Sequence, residues 1–381
     1  MSLSHQERIL RTMRGEPVDR IPIGSPISWS PQPPRNPNAR DIWADDPNYQ
    51  AVLPLVEEHC DAFGRSGAIG FDRGNLQIPR KYIKGESVRE GKRVKTTNYI
   101  DTPKGKLRRV AEREDGIHTV WVTEPLIKDK SDVEKILSVP YEFEAPDYGT
   151  FFEERERLGD RGVMEVGVSV PLVSISHMFH FDEFLLWCAA ERGAIKLLIS
   201  TVFERIYDRL ERVLKEGVGP AFWLGGSEQA TPPMMSPALY DELSIGYDRQ
   251  LFDLIHKYGG IVHVHCHGKV SGVLDKLVEA GVDFLDPVEP PPQGDITMEE
   301  AKRRVNGKIV LMGNIEFRDL EFDTPDQIDR KVRDAILPGG RKHMLLYPSA
   351  TPIMPMTDKY RDNAIQYMES ALEYGKMDGE G

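Results

Sequence analysis

Residues 260 to 268 decide the fold, and they read Gly-Ile-Val-His-Val-His-Cys-His-Gly. A short apolar run bounded by glycine predicts a buried β-strand, and here polar residues gather at its carboxyl end. Five other apolar runs have a similar form, and amphipathic segments with helical spacing separate them. This alternation predicts an α/β fold with parallel strands. The predicted strands are residues 162–170, 219–225, 260–265, 282–285, 308–312 and 343–347, and the predicted helices include 181–197, 236–258, 270–280 and 297–305.

Polar side chains follow the ends of most predicted strands, and this distinguishes two α/β architectures. Side chains from the carboxyl ends of different strands converge on one site in a (β/α)8 barrel, the TIM barrel. A dinucleotide-binding doubly wound sheet would carry Gly-x-Gly-x-x-Gly after its first strand, and this motif is missing there. We therefore predict one (β/α)8 TIM barrel domain over residues 1–381. The strand-end residues are Ser227, Glu228, Gln229, His265, His267, Asp286, Glu289, Asn314, Glu316, Tyr347 and Ser349.

Residues 77–123 follow a different pattern from the rest of the chain. Segments such as 94–100 alternate polar and apolar residues, and Gly, Asp and Pro turns separate them. Alternation with a period of two is typical of half-exposed antiparallel strands. We predict a β-rich insertion, a β-meander, within the barrel domain.

The composition excludes several function classes. The 381 residues are 40% hydrophobic, which allows a large core, and the formal net charge of −12 argues against binding a phosphate backbone. No apolar run reaches the roughly 18 residues of a membrane span, and the charged start of the chain does not resemble a signal peptide. Cys60, Cys188 and Cys266 are far apart, which is typical of a reducing compartment. We expect a cytoplasmic protein.

The histidine-rich strand end supplies the candidate metal site. Because strand residues alternate between faces, His263, His265 and His267 share one face of the strand and Cys266 takes the other. Imidazole is a frequent zinc ligand, and open sites often add a carboxylate, so we predict zinc held by His265, His267 and Glu228. The alternative is that these histidines bind substrate without a metal. Cys266 is either a substrate-binding residue that turns inward where the strand ends or a small buried hydrophobe.

Five further residues are candidates for catalysis or substrate binding. Asp286 and Glu289 lie in a stiff, proline-rich segment that can hold acid/base groups, although it is equally a loop before the next helix. Asn314 follows a strand and can present its amide to a substrate or bond its own backbone. Glu165 interrupts an apolar run, so it either binds substrate or pairs with an arginine. Tyr347 at the last strand end is a further substrate-binding candidate.

The chain resembles the uroporphyrinogen decarboxylase superfamily, which includes corrinoid-dependent methyltransferases. Its landmarks are Glu7-Arg8-Ile9-Leu10 with residues 15–22, the Met235-Ser236-Pro237 helix start with residues 256–260, the His-x-x-Gly of residues 265–268, and Gly313-Asn314. The resemblance implies a (β/α)8 barrel with its cleft at the strand carboxyl ends. It also argues against porphyrinogen decarboxylation, because Thr351 stands where decarboxylases have a histidine and residues 28–32 replace the arginine-bearing loop.

The methyltransferase branch implies a zinc site built from a His-x-Cys pair and a later Cys. The counterparts here are His265, His267 and Thr351, so both thiolates are replaced and Thr351 becomes a substrate-binding candidate. The leading hypothesis is a metal-dependent methyltransferase that acts with a corrinoid protein or on a small acceptor. The alternatives are a lyase or decarboxylase of a small carboxylated substrate, with Asp286 or Glu289 as acid/base group, and a non-catalytic ligand-binding barrel. A second copy of the chain is an expected partner.

Overall fold

The computed structural model describes residues 3–31, 45–71, 74–115, 119–352 and 355–377. The strands in these ranges are β1 Ala62–Arg65, β2 Ile83–Glu90, β3 Arg93–Thr102, β4 Gly105–Glu114, β5 Val120–Glu124, β6 Gly162–Val168, β7 Ala221–Gly225, β8 Ile261–His265, β9 Phe284–Val288, β10 Val310–Ile315 and β11 Met344–Pro348. The helices are α1 His5–Arg14, α2 Pro47–His59, α3 Lys130–Leu137, α4 Tyr148–Leu158, α5 Pro171–Ser176, α6 Phe181–Ala190, α7 Arg192–Lys215, α8 Pro237–Tyr240, α9 Gly246–Lys257, α10 Leu274–Ala280, α11 Met298–Val305, α12 Phe317–Phe322, α13 Pro325–Ile336 and α14 Asp358–Tyr374. None of the helices in the described ranges is both long and apolar enough to cross a membrane.

Seven parallel strands form one curled sheet, in the order β1-β6-β7-β8-β9-β10-β11. The segment around Ile23 bonds to both edges of this sheet. Gly24 N donates to Leu346 O of β11 at 2.8 Å, and Asp61 N, directly before β1, donates to Ile23 O at 2.7 Å. Parallel strands bring their carboxyl ends to one edge, so the predicted strand-end residues gather on one side of the sheet.

The expected β-rich insertion is a four-stranded antiparallel sheet. Strands β2 to β5 pair in sequence order, as expected for a meander. It spans residues 83–124, against the predicted 77–123. Almost every residue of β2 is exposed, because this strand forms an edge of the small sheet.

Helix α1 covers the amino-terminal end of the curled sheet. Ile9 of α1 packs with Val163, Ile261 and Phe284, which point into the sheet's concave side. Hydrogen bonds between charged side chains hold α1 in place. Arg8 donates to Asp19 (2.7 Å) and to Asp61 (2.7 Å), and Arg20 donates to Asp61 (2.5 Å). The amino-terminal side is therefore a packed core, which leaves the carboxyl ends of the strands for chemistry.

Several of the predicted element boundaries were wrong, and two of the differences have a clear local cause. The predicted helix 181–197 is two helices, because Glu191 adopts φ −116° and ψ 39° and ends α6 before α7 begins. The predicted strand 162–170 ends at Val168, and Pro171 opens α5 with its fixed φ. The predicted helix 236–258 is present, but its residues Asp241–Ile245 form a π-helical turn between α8 and α9.

Candidate active site at the strand ends

The three histidines of β8 and its end lie at increasing height in the sheet's concave side. His263 is buried, the His265 side chain is 21% exposed, and the His267 side chain is 38% exposed. The rings of His265 and His267 are nearly perpendicular, with centroids 4.6 Å apart. The alternation expected from the sequence therefore brings two imidazoles together at the open end of the sheet.

A carboxylate from the following segment holds each of these two rings. His265 Nδ1 lies 2.9 Å from Asp286 Oδ2, and His267 Nδ1 lies 2.9 Å from Glu289 Oε1. The second oxygen of Glu289 accepts from Gly268 N at 2.5 Å. These bonds keep the Nδ1 proton of each ring facing its carboxylate and leave Nε2 with a lone pair. In the described part of the chain neither Nε2 has a hydrogen-bond partner, so both are available to a ligand.

His263 links two buried carboxylates below this pair. Its Nδ1 donates to Glu165 Oε1 at 2.6 Å, and its Nε2 forms an ion pair with Asp286 Oδ1 at 2.7 Å. Burial lowers the pKa of His263, but the charges of Asp286 and Glu165 outweigh burial and raise this pKa to about 10. Burial likewise opposes ionisation of Asp286, yet His263 and His265 hold its pKa below the ordinary range. Asp286 is thus an ionised carboxylate shared by two imidazoles.

Glu165 is buried and bonded to two basic side chains. Besides His263, it accepts from Arg65 Nε at 3.3 Å. Arg65 also lies over the ring of Trp223, with Cζ 4.7 Å from the centroid. Glu165 thus pairs with an arginine, as one of the two sequence-based interpretations expects. Its contact with a substrate stays a prediction. No sequence pattern singled out Arg65.

Glu228 and Cys266 lie beside the imidazole pair. Glu228 belongs to the turn Ser227–Gln229 after β7, and its Oε2 is buried with no hydrogen-bond partner among the described residues. Cys266 is fully buried, and burial, followed by the charge of Glu228, raises the pKa of its thiol well above the ordinary range. A buried, neutral thiol packs like a small hydrophobe, and contact of Cys266 with a substrate stays a prediction.

The ends of β10 and β11 carry the other candidate residues. Asn314 lines a cavity of about 560 Å³ together with Glu316. Glu316 is buried and accepts from Ser349 Oγ at 3.1 Å; burial, and then the charge of Glu289, raise its pKa to about 7. The sequence does not distinguish Glu316 from the other polar residues at strand ends. Its raised pKa depends on the nearby Glu289, and no local pattern indicates that these two residues lie close together.

Tyr347 and Thr351 differ in their surroundings. The ring of Tyr347 packs so closely on Gly24 that a Cβ at that position would lie 2.0 Å from it. Burial raises the pKa of Tyr347 to about 12, so it is a neutral phenol. Thr351 is partly exposed beyond β11, and its role in substrate binding stays a prediction.

The donor set can be tested against the predicted zinc site. Among the described residues, Nε2 of His265, Nε2 of His267 and one buried oxygen of Glu228 have no hydrogen-bond partner. Two imidazoles and one carboxylate are a recognised donor set for an open zinc site. Across the described ranges, however, no three His, Cys, Asp or Glu side chains are already grouped as metal ligands. The residues therefore fit zinc in donor type, and their side chains would have to converge on it.

Comparison with known proteins agrees with this architecture. A solved methyltransferase from Methanosarcina mazei covers 98% of this chain and 99% of its own, with a TM-score of 0.58 at 15% identity. A B12-independent methionine synthase from Shewanella sp. W3-18-1 covers 93% and 97%, with a TM-score of 0.48 at 10% identity. At 15% identity the likeness to the methyltransferase shows the fold alone. None of the curated protein sequences matches the chain.

A family model described as uroporphyrinogen decarboxylase (URO-D) matches residues 115–361, which is more than half of the chain. That range contains the strands β6 to β11, the histidine-rich end of β8 and the carboxylates that hold it. The resemblance noted in the sequence is thereby confirmed: the chain belongs to the uroporphyrinogen decarboxylase family.

Proposed function

We propose that this protein is a metal-dependent methyltransferase whose zinc is held by His265, His267 and Glu228. The observation that carries the proposal is the pair of carboxylate-bound imidazoles, His265 with Asp286 and His267 with Glu289. Metal-ligating histidines almost always bond their other ring nitrogen to a carboxylate, carbonyl or water, which fixes the tautomer and raises the basicity of the ligand. Asp286 and Glu289 act in this proposal as positioning residues.

When bound, the zinc would supply Lewis-acid chemistry toward the group that donates or accepts the methyl. The chain's own residues set how strong that acid is. Two neutral imidazoles and one carboxylate offset less of the zinc charge than two thiolates and an imidazole would. His265 and His267 therefore suit a more electrophilic site than the thiolate-rich arrangement implied for the methyltransferase branch.

The remaining parts of the proposal concern the surroundings of the site. A corrinoid protein is the proposed methyl donor, and a small molecule is the acceptor. The residue 21–24 segment is proposed as the eighth strand of a closed (β/α)8 barrel, since it bonds to both edges of the parallel sheet. We propose a single domain in the cytoplasm and a homodimeric assembly.

Metal analysis tests the proposal directly. Purified protein loaded with zinc and dialysed should retain about one zinc per chain, and the double variant His265→Ala/His267→Ala should lose it. His256→Ala is the matched control, because His256 also pairs with a carboxylate, Asp283, but lies on a surface helix. Protein that folds normally yet retains no zinc, or a double variant that retains it, would remove the metal from the proposal.

One observation favours a second candidate, a carboxy-lyase acting on a small carboxylated substrate. Asp286 and Glu289 are both bonded to histidine, whereas Glu316 has a pKa raised to about 7 and a buried Oε1 that no described residue bonds. A carboxyl group that titrates near neutral pH can act as a general acid. Release of CO2 by the wild type, with a limb in the pH profile near 7 that disappears in Glu316→Gln, would support this candidate over methyl transfer.

A further inference from the structure

A separate cavity lies at the amino-terminal end of the parallel sheet, away from the histidine-rich strand end. Its volume is about 390 Å³, and its walls come from α11 with the turn that follows it and from the loop 337–343 that leads into β11. Ile309 and His343 in these walls come directly before β10 and β11. Because parallel strands run in one direction, this cavity and the candidate active site lie at opposite ends of the same two strands.

Three basic side chains line the cavity, and among the described residues none of them forms an ion pair with a carboxylate. Lys302, Lys342 and His343 form this group, which we call the basic cluster. Lys302 donates to the backbone carbonyl of Gly340. Lys331, which lines the cavity beside Asn314, differs because it pairs with two carboxylates at 2.6 and 2.8 Å. The basic cluster thus concentrates positive charge in a chain whose formal net charge is −12.

The pKa values of these residues follow from burial and from their closeness to one another. Burial lowers the pKa of Lys302 to about 8, and no carboxylate of the described residues raises it. Burial first, and then the charges of Lys302 and Lys342, lower the pKa of His343. A negatively charged group among the three side chains would replace this repulsion with attraction. The charge distribution therefore favours an anion in the cavity.

Close packing fixes the positions of two of the three side chains. The ring of His343 lies between Gly15 at the end of α1 and Gly307 after α11, and a Cβ on these glycines would lie 2.8 Å and 3.4 Å from ring atoms. A Cβ on Gly339 would likewise lie 2.8 Å from Cδ of Lys302. Side chains that are already ordered lose less conformational entropy when a ligand binds.

Two other charged side chains in the walls do not belong to the basic cluster. Arg303 is bonded to both oxygens of Glu300, at 2.6 and 2.7 Å, so its charge is already offset. Glu299 opposes an anion, but its side chain is exposed and forms no ion pair with Lys302 in the described part of the chain. Solvent screens an exposed charge more than a partly buried one, so Lys302 outweighs Glu299 inside the cavity.

We propose that the basic cluster binds a phosphate group, either of inorganic phosphate or of a small phosphorylated molecule. The lysine ammonium group is a common point-charge partner of phosphate, and two of them beside an imidazole suit a dianion better than a singly charged carboxylate. Cavities of roughly 300 to 1,000 Å³ are typical of small-molecule sites, so there is room for an organic group next to the phosphate. This site is additional to the metal site of the proposed function.

Isothermal titration calorimetry of the full-length protein, at about pH 7.5 and constant ionic strength, tests the ligand class. The probes are inorganic phosphate, glycerol 3-phosphate and acetate. At least one phosphate probe should bind with a Kd of about 1 mM or lower, and acetate should bind about tenfold more weakly. Tighter binding of inorganic phosphate assigns the free ion, and tighter binding of glycerol 3-phosphate assigns a phosphorylated molecule. A wild type that binds neither phosphate probe, or binds acetate equally well, overturns the proposal.

Variants of the two lysines locate the site. Lys302→Met and Lys342→Met each remove one charge at similar length and should weaken phosphate binding about tenfold. Lys84→Met is the control, because Lys84 pairs with Asp101 in the small sheet, and it should bind like the wild type. Lys342 is exposed, so Lys342→Met tests the site even where Lys302→Met does not fold. Folded variants of both lysines that bind phosphate like the wild type would overturn the proposal.

Thermal melting separates ligand binding from a purely structural role of Lys302. A ligand that binds only the folded state raises the melting temperature. Phosphate should therefore raise the melting temperature of the wild type and of Lys84→Met, and should not raise that of Lys302→Met. An equal rise in Lys302→Met would show that phosphate binds elsewhere and would contradict the proposed site. The double variant His265→Ala/His267→Ala should respond to phosphate like the wild type, because the metal site lies at the other end of the sheet.

Discussion

At the scale of single residues, the site depends on pairs that join neighbouring strands. His265 and Asp286 come from β8 and β9, and the ion pair of Asp286 with His263 adds a third group. Each pair is short and at least partly buried, so a change of one atom in the carboxylate alters the orientation of an imidazole. Residue-level variants are therefore the most direct probes of the site.

The variant Asp286→Asn keeps the size of the side chain but removes the negative charge that His263 and His265 share. Loss of such an orienting carboxylate typically weakens metal binding about 10- to 100-fold. Competition with a chromogenic zinc chelator measures this change. Asp283→Asn is the control, because Asp283 bonds to His256 on the surface, and equal zinc affinity in both variants would contradict the role of Asp286.

The contact of Gly24 with Tyr347 gives a second residue-level prediction. A methyl group at Gly24 would lie 2.0 Å from the Tyr347 ring, whereas Gly70 has nothing within 4 Å of the same position. Gly24→Ala should therefore destabilise the protein by about 1–3 kcal/mol through overpacking, and Gly70→Ala should not. Urea unfolding measures both variants, and equal midpoints would show that Tyr347 moves aside at little cost.

At the scale of elements, helix ends are determined by local chemistry. Helix α14 begins after Thr357, whose Oγ1 accepts from Tyr360 N at 3.1 Å, and its buried face includes Tyr367 and Met368. Helix α6, by contrast, ends at Glu191, and the nearby glycine, Gly193, lies within the first turn of α7 and not at the break itself. The first kind of boundary can be read from sequence, and the second follows from packing.

The cap of α14 is testable. Thr357→Ala removes one acceptor for the unpaired amides of the first turn and should cost about 1 kcal/mol of unfolding free energy. Thr201→Ala in the interior of α7, where the hydroxyl bonds the backbone of Leu197, is the comparison and should cost less. A larger loss for Thr201→Ala in urea unfolding would argue against the cap.

At the scale of the whole molecule, charged residues gather at both ends of the parallel sheet, and their role differs between the two ends. The amino-terminal end uses Arg8, Asp19, Arg20 and Asp61 to fasten α1 over a packed core. The carboxyl end collects histidines and carboxylates, and in the part of the chain that the structure describes Nε2 of His265 and of His267 has no hydrogen-bond partner. One end thus stabilises the fold, and the other carries the candidate chemistry.

The salt bridges at the amino-terminal end of the sheet should make the stability of the protein depend on pH in the acidic range. Burial opposes ionisation of Asp19, but its bond with Arg8 lowers its pKa in the folded protein from 3.8 to about 2. A lowered folded pKa gives stability that is present above the unfolded pKa and is lost as the pH falls through the folded pKa. Melting temperatures of the wild type should therefore fall between about pH 4 and pH 2. Asp19→Asn should be less stable at pH 6 with a shallower fall, and parallel curves would contradict this role of Asp19.

The sequence by itself determined the α/β class, six of the seven parallel strands, the β-rich insertion, the family and the histidine-rich strand end. These follow from local periodicity and from residues that are near one another in the chain. Only the tertiary structure decided that Glu165 and Asp286 both bond to His263 and that Arg65 packs on the ring of Trp223. It also decided that β1 forms a strand. The four residues of β1 carry no apolar alternation that would announce a strand. Its pairing with β6, like each of those contacts, joins residues far apart in the chain, and only the closing of the sheet brings them together.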